Sequence, residues 1–286
     1  MSILSIQSHV SFGHAGNSAS VFPLQFLGHN VWPVHTVNYS NHTGYGKWKG
    51  ETISAKVIRE IIDGIFAITE PKSCKAVLSG YLGTPGVAES VENALKKLKK
   101  VNSKILFCCD PVMGDKGRGF FVKDEIPEYF KKKLVPIANI ITPNHFEFNF
   151  LCGESATYKD AIINAAPLLK KGPSWIIIKS FIGKETTPGT LDVLAISATS
   201  AYKINTPHII YPNDKPPVGT GDLFTSLYLG NYINNNFDAV NALEMACSSI
   251  YSILKFTYDK NMYELEIINA REQILSPNEM FRAVKL

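Results

Sequence analysis

A chain of 286 residues with 45% hydrophobic and 19% charged side chains can build a sizeable core, which excludes wholesale disorder. Its formal charge of +4 is too small to require a nucleic-acid partner, while a slightly positive surface favours an anionic ligand. No uninterrupted apolar run reaches membrane-spanning length, so no membrane partner is expected.

The opening residues Met1–Ile6 lack a basic leader and a long apolar core, so no signal peptide is expected. Five cysteines, at 74, 108, 109, 152 and 247, show no framework spacing and read as buried free thiols, which suits the cytoplasm. Cys108 and Cys109 are adjacent in an apolar run, so in a strand their side chains point to opposite faces.

In chain order, strands are expected at Ile3–Ile6, Ala76–Ser79, Ile105–Cys109, Ile140–Thr142, Trp175–Ile178 and Leu191–Ile196. Amphipathic helices are expected over Val87–Val101, Ala161–Lys171 and Asn241–Phe256. Alternation of this kind predicts an α/β fold: a three-layer α/β/α sandwich around a central, mostly parallel sheet, in one domain over residues 1–286. Ligands of such folds gather at the carboxyl edge of the strands. That rule selects Ser8, Gly80–Tyr81, Asp110, Pro143–Asn144 and Lys179–Ser180, which follow the expected strands.

Polar segments stand at several of these edges. Gln7–Ser18 is rich in glycine and small polar residues and reads as a strand–loop–helix connection. Tyr39–Gly50 mixes hydroxyls, His42, glycines and three aromatics, which suits a flat heteroaromatic ring, with a solvated loop as the alternative. Asp110 precedes Pro111 and is held extended, so its carboxylate either orients a hydrated cation or polyphosphate or binds loop amides. Gly114–Gly119, with Asp115, Lys116 and Arg118, reads as a glycine-rich flap. Asn144 and Glu147 lie three apart at a strand-to-helix junction. They suit Mg²⁺ through its waters, and they equally form a capping box. His145 has no partner at metal-ligand spacing and reads as structural.

Pro207–Gly221 is expected as an exposed loop entering a helix at Asp222. The run Gly219–Thr220–Gly221–Asp222 offers bare amides and a carboxylate at one point. That pairing suits phosphoryl transfer to an alcohol, and an Asp at this place is also an ordinary helix cap.

Taken together, these segments resemble the pyridoxal kinase branch of the ribokinase-like superfamily along nearly the whole chain. Gly-Thr-Gly-Asp marks only the superfamily, whereas Ser40–Tyr45 (Ser-Asn-His-Thr-Gly-Tyr) and Ser79–Gly83 (Ser-Gly-Tyr-Leu-Gly) are more specific. The resemblance implies a ribokinase-like fold and ATP-dependent phosphorylation of the 5′-hydroxymethyl group of pyridoxal, pyridoxine or pyridoxamine. It implies Asp222 as base, with Gly219, Thr220 and Gly221 as an anion hole. Ser8, His42, Thr43, Gly44 and Tyr81 would surround the pyridine ring. Asp110, Asp115, Thr142, Asn144, Glu147, Lys179 and Ser180 would serve ATP, with Asp110 and Glu147 toward the metal.

Mg²⁺, a monovalent cation such as K⁺, and a homodimer are implied in the same way. The chain departs from part of the family at Phe120–Phe121, where a flap tyrosine would contact phosphate. Thr206–Pro216 is expected near the adenine, without individual assignments. A kinase for a hydroxymethylpyrimidine and a vitamin-binding protein with little kinase activity are the alternative functions.

Overall fold

In the computed structural model the chain is described over residues 1–212 and 215–286. The elements run β1 (Ser2–Val10), α1 (Asn17–Phe26), β2 (Asn30–Tyr39), β3 (Gly50–Thr52), α2 (Ala55–Ile68), β4 (Cys74–Ser79), α3 (Pro85–Val101) and β5 (Leu106–Cys109). There follow β6 (Gly114–Asp115), β7 (Gly119–Phe120), α4 (Glu125–Tyr129), β8 (Ile140–Ile141), α5 (His145–Cys152), α6 (Tyr158–Leu169) and β9 (Trp175–Phe181). The chain closes with β10 (Thr190–Ile196), β11 (Ala201–Pro207), α7 (Thr220–Asn234), α8 (Ala239–Asp259) and β12 (Val284–Lys285).

A ten-stranded sheet has the order β12-β11-β10-β9-β8-β5-β4-β1-β2-β3. The central pairings, from β2 through β1, β4, β5 and β8 to β9, are all parallel. The outer strands pair antiparallel. Buried residues form two clusters, one on each face. Leu4, Ile6, Val77, Ile176 and Ile178 pack with α2, α3, α4 and α6, while Ile3, Ala76, Leu78 and Ile177 pack with α1, α7 and α8. Cys109 belongs to the first cluster and Cys108 to the second, so the adjacent thiols point to opposite faces as expected. All five cysteines are free.

Several elements are defined by their ends. Thr84 caps α3 by accepting from the Val87 amide, and Pro85 fills the first turn, where no donor is required. Asp238 caps α8 by accepting from the amides of Val240 and Asn241. Helix α7 is buried nearly all round, Leu223 to Ile233, because α1 and α8 cover it as well as the sheet.

The expected strands are present, with shifted ends. β1 runs on to Val10, so Ser8 lies within the strand rather than after it. β9 runs on to Phe181 and contains Lys179 and Ser180. β8 stops at Ile141, one residue short. Strands β2 and β11, absent from the expectations, carry mixed exposure rather than a continuous apolar run. Of Thr206–Pro216, residues 213 and 214 lie outside the described residues. No helix among the described residues is long and apolar enough to cross a membrane.

Candidate active site

Helix α7 begins at Thr220, two residues before the expected start, so Asp222 is the third helical residue and not the cap. Gly219 occupies the cap position with φ +81°, and a Cβ there would collide with the His14 carbonyl oxygen. The first helical bond is donated by Leu223 to the Gly219 carbonyl. The amides of Thr220, Gly221 and Asp222 have no partner among the described residues, as the geometry of a helix start requires. They form a donor surface suited to an anion.

The half-buried Asp222 carboxylate accepts from the Gly16 amide through Oδ2, at 2.8 Å. Gly16, φ +56°, has no room for a side chain because Ser8 presses against it. Ser8 therefore touches the turn that holds Asp222. Burial and the nearby Asp110 raise the Asp222 pKa to about 6, against the opposing pull of the Gly16 amide and Lys179.

Beneath the helix start lies a buried polar cluster. Lys179 Nζ donates to both Asp110 oxygens at 2.9 and 2.8 Å. Thr225, one turn after Asp222, donates to Asp110 Oδ2 at 3.0 Å and meets the Thr142 hydroxyl at 3.0 Å. A Cβ on Gly221 would stand 3.2 Å from Lys179 Nζ, so the ammonium abuts the donor surface. Burial works against the Lys179 charge, but Asp110 and Glu147 outweigh it and its pKa is raised.

Glu147 is buried, with Oε1 accepting from Met113 at 2.9 Å and Oε2 from Asn144 at 2.8 Å. Asn144 accepts in return from the Glu147 amide, so the capping box is formed. Burial and Asp110 push the Glu147 carboxyl well above its usual range, against Lys179 and the two amides.

Among the described residues no trio of His, Cys, Asp or Glu side chains converges as a direct metal cage. The cluster nevertheless fits a hydrated divalent cation. Asp110, Glu147 and Asp222 share the single Lys179 ammonium, and Mg²⁺ keeps its waters and takes phosphate oxygens alongside one or two carboxylates.

The remaining expected residues divide. His42 accepts from the Gly44 amide through Nδ1 at 3.0 Å, capping the short turn Thr43–Tyr45 and placing its ring proton on Nε2. Thr43 is half-buried and Gly44 exposed. The half-buried Tyr81 is fixed by its carbonyl, which accepts from the Thr36 hydroxyl at 2.7 Å. The flap is the β6–β7 hairpin, tethered by Asn144 Nδ2 donating to the Gly114 carbonyl at 2.8 Å. Asp115 is exposed, and its carboxylate accepts from the next amide, Lys116; no described contact joins it to the Asp222 cluster. Ser180 is exposed, with φ +53°. Phe120 turns toward α5, packing edge-on against Phe146 and Phe150 with ring centroids 5.2 Å away in each case.

The contacts of three contributors escaped sequence reasoning, although Gly16 and Arg118 lie in segments it singled out. Gly16 holds the carboxylate by its backbone, which leaves no trace in residue chemistry. Thr225 bridges Asp110 and Thr142, and its i+3 spacing from Asp222 on one helix face was the available signal. Arg118 of the flap lies close enough to His42 to lower its pKa, after the larger effect of burial.

A layered α/β/α sheet with a Gly-Thr-Gly-Asp helix start at its carboxyl edge defines the class of ribokinase-like small-molecule kinases. The family model described as phosphomethylpyrimidine kinase matches residues 12–266. The pyridoxal kinase PdxY of Corynebacterium diphtheriae is 41% identical over 287 residues, spanning the whole of both chains. That of Deinococcus radiodurans is 38% identical, covering 99% of this chain and 96% of its own. Among solved structures, Leishmania donovani pyridoxal kinase with ADP and ginkgotoxin superposes with TM-score 0.91 at 28% identity. It covers 100% of this chain and 99% of that one. The same enzyme with ADP and pyridoxine gives 0.90 at 28%, with equal coverage. The chain belongs to the phosphomethylpyrimidine kinase family, in its pyridoxal kinase branch.

Proposed function

We propose that this protein transfers the γ-phosphoryl group of ATP to the 5′-hydroxymethyl group of pyridoxal, and of pyridoxine and pyridoxamine in the same pose. One observation carries the reading: a carboxylate pinned by one oxygen to Gly16, with a pKa near 6, beside three open helix-start amides. With Oδ2 occupied, Oδ1 is the atom that accepts the alcohol proton as the alcohol oxygen bonds to the γ-phosphorus and ADP departs. The raised pKa brings the base close to working pH without leaving it protonated there.

The open amides of Thr220 and Gly221, joined by that of Gly219 as the resemblance implies, and the Lys179 ammonium receive the charge spread over the transferring oxygens. Asp110 and Thr142 hold Lys179 and Thr225 in place for that role. Bound Mg²⁺, held through water by Asp110 and Glu147, would neutralise phosphate charge, and a monovalent cation such as K⁺ belongs to the same proposal. Ser8, His42, Thr43, Gly44 and Tyr81 would enclose the pyridine ring. Asn144 anchors the flap carrying Asp115, whose closure would exclude water competing for the phosphoryl group. Lys179 and Ser180 would lie along the nucleotide. The continuous sheet supports treating residues 1–286 as one domain. A cytoplasmic homodimer completes the proposal, supported by the resemblance and by five free cysteines.

An ADP-release assay with pyridoxal, pyridoxine, pyridoxamine and hydroxymethylpyrimidine tests the reading. Pyridoxal is expected to give the highest kcat/KM among the heterocycle classes. A clear preference for the pyrimidine would reassign the substrate, and binding without ADP release would remove the kinase activity.

A further inference from the structure

Glu264 takes no part in the cluster around Asp222, yet it joins the two loops that flank it. It stands in the segment after α8, five residues beyond the last helical residue, and its neighbours Leu265 and Ile267 are each 1% exposed in the core. That burial fixes the backbone, so the carboxylate projects from an immobile base. Oε2 accepts from the His14 amide at 3.1 Å, and Oε1 accepts from the Tyr45 hydroxyl at 2.5 Å. His14 is two residues from Gly16, whose amide holds Asp222, and Tyr45 ends the turn that His42 caps.

The surroundings are shaped for this contact. Gly13 has φ +83°, and any Cβ there would collide with the Glu264 carboxylate. The Tyr45 ring packs edge-on against Tyr263 at 5.3 Å and Phe12 at 6.2 Å, so its hydroxyl is aimed by residues on both sides of the carboxylate. Burial lowers the pKa of both His14 and His42, and the same carboxylate pulls against that lowering at each. The Ser11 and Phe12 amides donate to the Tyr39 and Ser40 carbonyls at the bases of the two loops, and the Glu264 bonds add the link farther out, at His14 and Tyr45.

We propose that Glu264 is a positioning residue that locks the His14–Gly16 turn to the His42–Tyr45 turn, and so sets the distance between the general base and the vitamin-binding side of the pocket. It touches neither reactant and acts through Tyr45 and the His14 amide. The inference rests on the kinase reading above and assigns it a residue outside the recognised motifs.

The test uses the full chain as Glu264→Gln, Tyr45→Phe and the double variant. Glutamine keeps one acceptor and loses the other, and phenylalanine keeps the ring packing while removing the donor. Three quantities are read: KM for pyridoxal and for ATP, melting temperature, and hydrogen exchange at the His14–Gly16 and Thr43–Gly46 amides. The expected result is a pyridoxal KM raised about tenfold in each single variant, the size of one lost charge-assisted hydrogen bond, with ATP KM within about twofold. The double variant should be no worse than the poorer single one, since both cut one link. Exchange at both amide groups should speed up together.

Unchanged pyridoxal KM in variants that melt normally overturns the proposal, as does exchange faster in one loop only. Equal losses for both substrates together with a lowered melting temperature also overturn it, since they indicate general loosening. If Glu264→Gln does not fold, Tyr45→Phe alone decides, because its ring packing is retained. Failure of the wild-type protein to release ADP with pyridoxal would instead refute the kinase reading, while the exchange result would still judge the link.

Discussion

At the scale of single residues, the proposed chemistry rests on one carboxylate whose pKa burial and Asp110 raise. Asp222→Asn keeps the shape and the acceptor for Gly16 but cannot take a proton, so turnover should fall by roughly 10²–10⁴-fold with the fold intact. Near-normal turnover in steady-state kinetics would remove Asp222 from the role. The pH dependence follows from the raised pKa. The free enzyme should lose kcat/KM as pH falls through about 6, and not near the ordinary Asp value. The stability consequence has the opposite sense from a salt-bridged Asp. A raised folded pKa means the folded state binds more protons, so this group's contribution is present at low pH and is lost as pH rises through about 6. At pH 8, Asp222→Asn should therefore melt no lower than wild type.

At the scale of elements, two helix starts do different work. At α7 the cap is a glycine in the left-handed region wedged against the His14 carbonyl, which leaves the following amides open. Gly219→Ala must move that loop, and Gly16 with it, so activity should fall at least as far as for Asp222→Asn, with a lowered denaturation midpoint. At α5 the capping box closes its own donors. Asn144→Ala should cost about 1 kcal/mol in urea unfolding, the usual cost of a lost cap, and should also free the flap from its tether to Gly114. The sequence presented Asn144–Glu147 as either cap or cation site. The capping bonds are formed, and they leave each oxygen able to accept from water as well.

At the scale of the whole molecule, strands far apart in sequence bring opposite charges into one buried network. Lys179 from β9 neutralises Asp110, which follows β5, beside Glu147 of α5. Removing one partner of a buried pair typically costs about 3–5 kcal/mol, because the other charge stays buried. Lys179→Met should show a loss of this order in chemical denaturation at pH 8. The deficit should shrink as pH falls and the Glu147 carboxyl, held above its usual range, takes up its proton. Ligand binding should act in the other direction. Pyridoxal with an ATP analogue at about 100 times their dissociation constants should stabilise the fold by about 2.7 kcal/mol per site, read as a higher melting temperature.

Read by itself, the sequence determined the layers and their order, because both-faces-buried strands and amphipathic helices carry a period that burial imposes locally. It also placed Cys108 and Cys109 on opposite faces, and it set Asp110 just past β5, while Ser8, Lys179 and Ser180, expected after their strands, lie inside β1 and β9. It missed β2 and β11, whose mixed exposure breaks the apolar run, and it misplaced the start of α7 because a left-handed glycine cap has no side-chain signal. Tertiary structure alone decided that the Gly16 amide holds Asp222, that Lys179 faces Asp110, and that Glu264 joins two distant loops. Those are contacts across as many as 250 residues, through backbone amides and desolvated charges. Their strength depends on burial and distance, and a linear order of residues specifies neither.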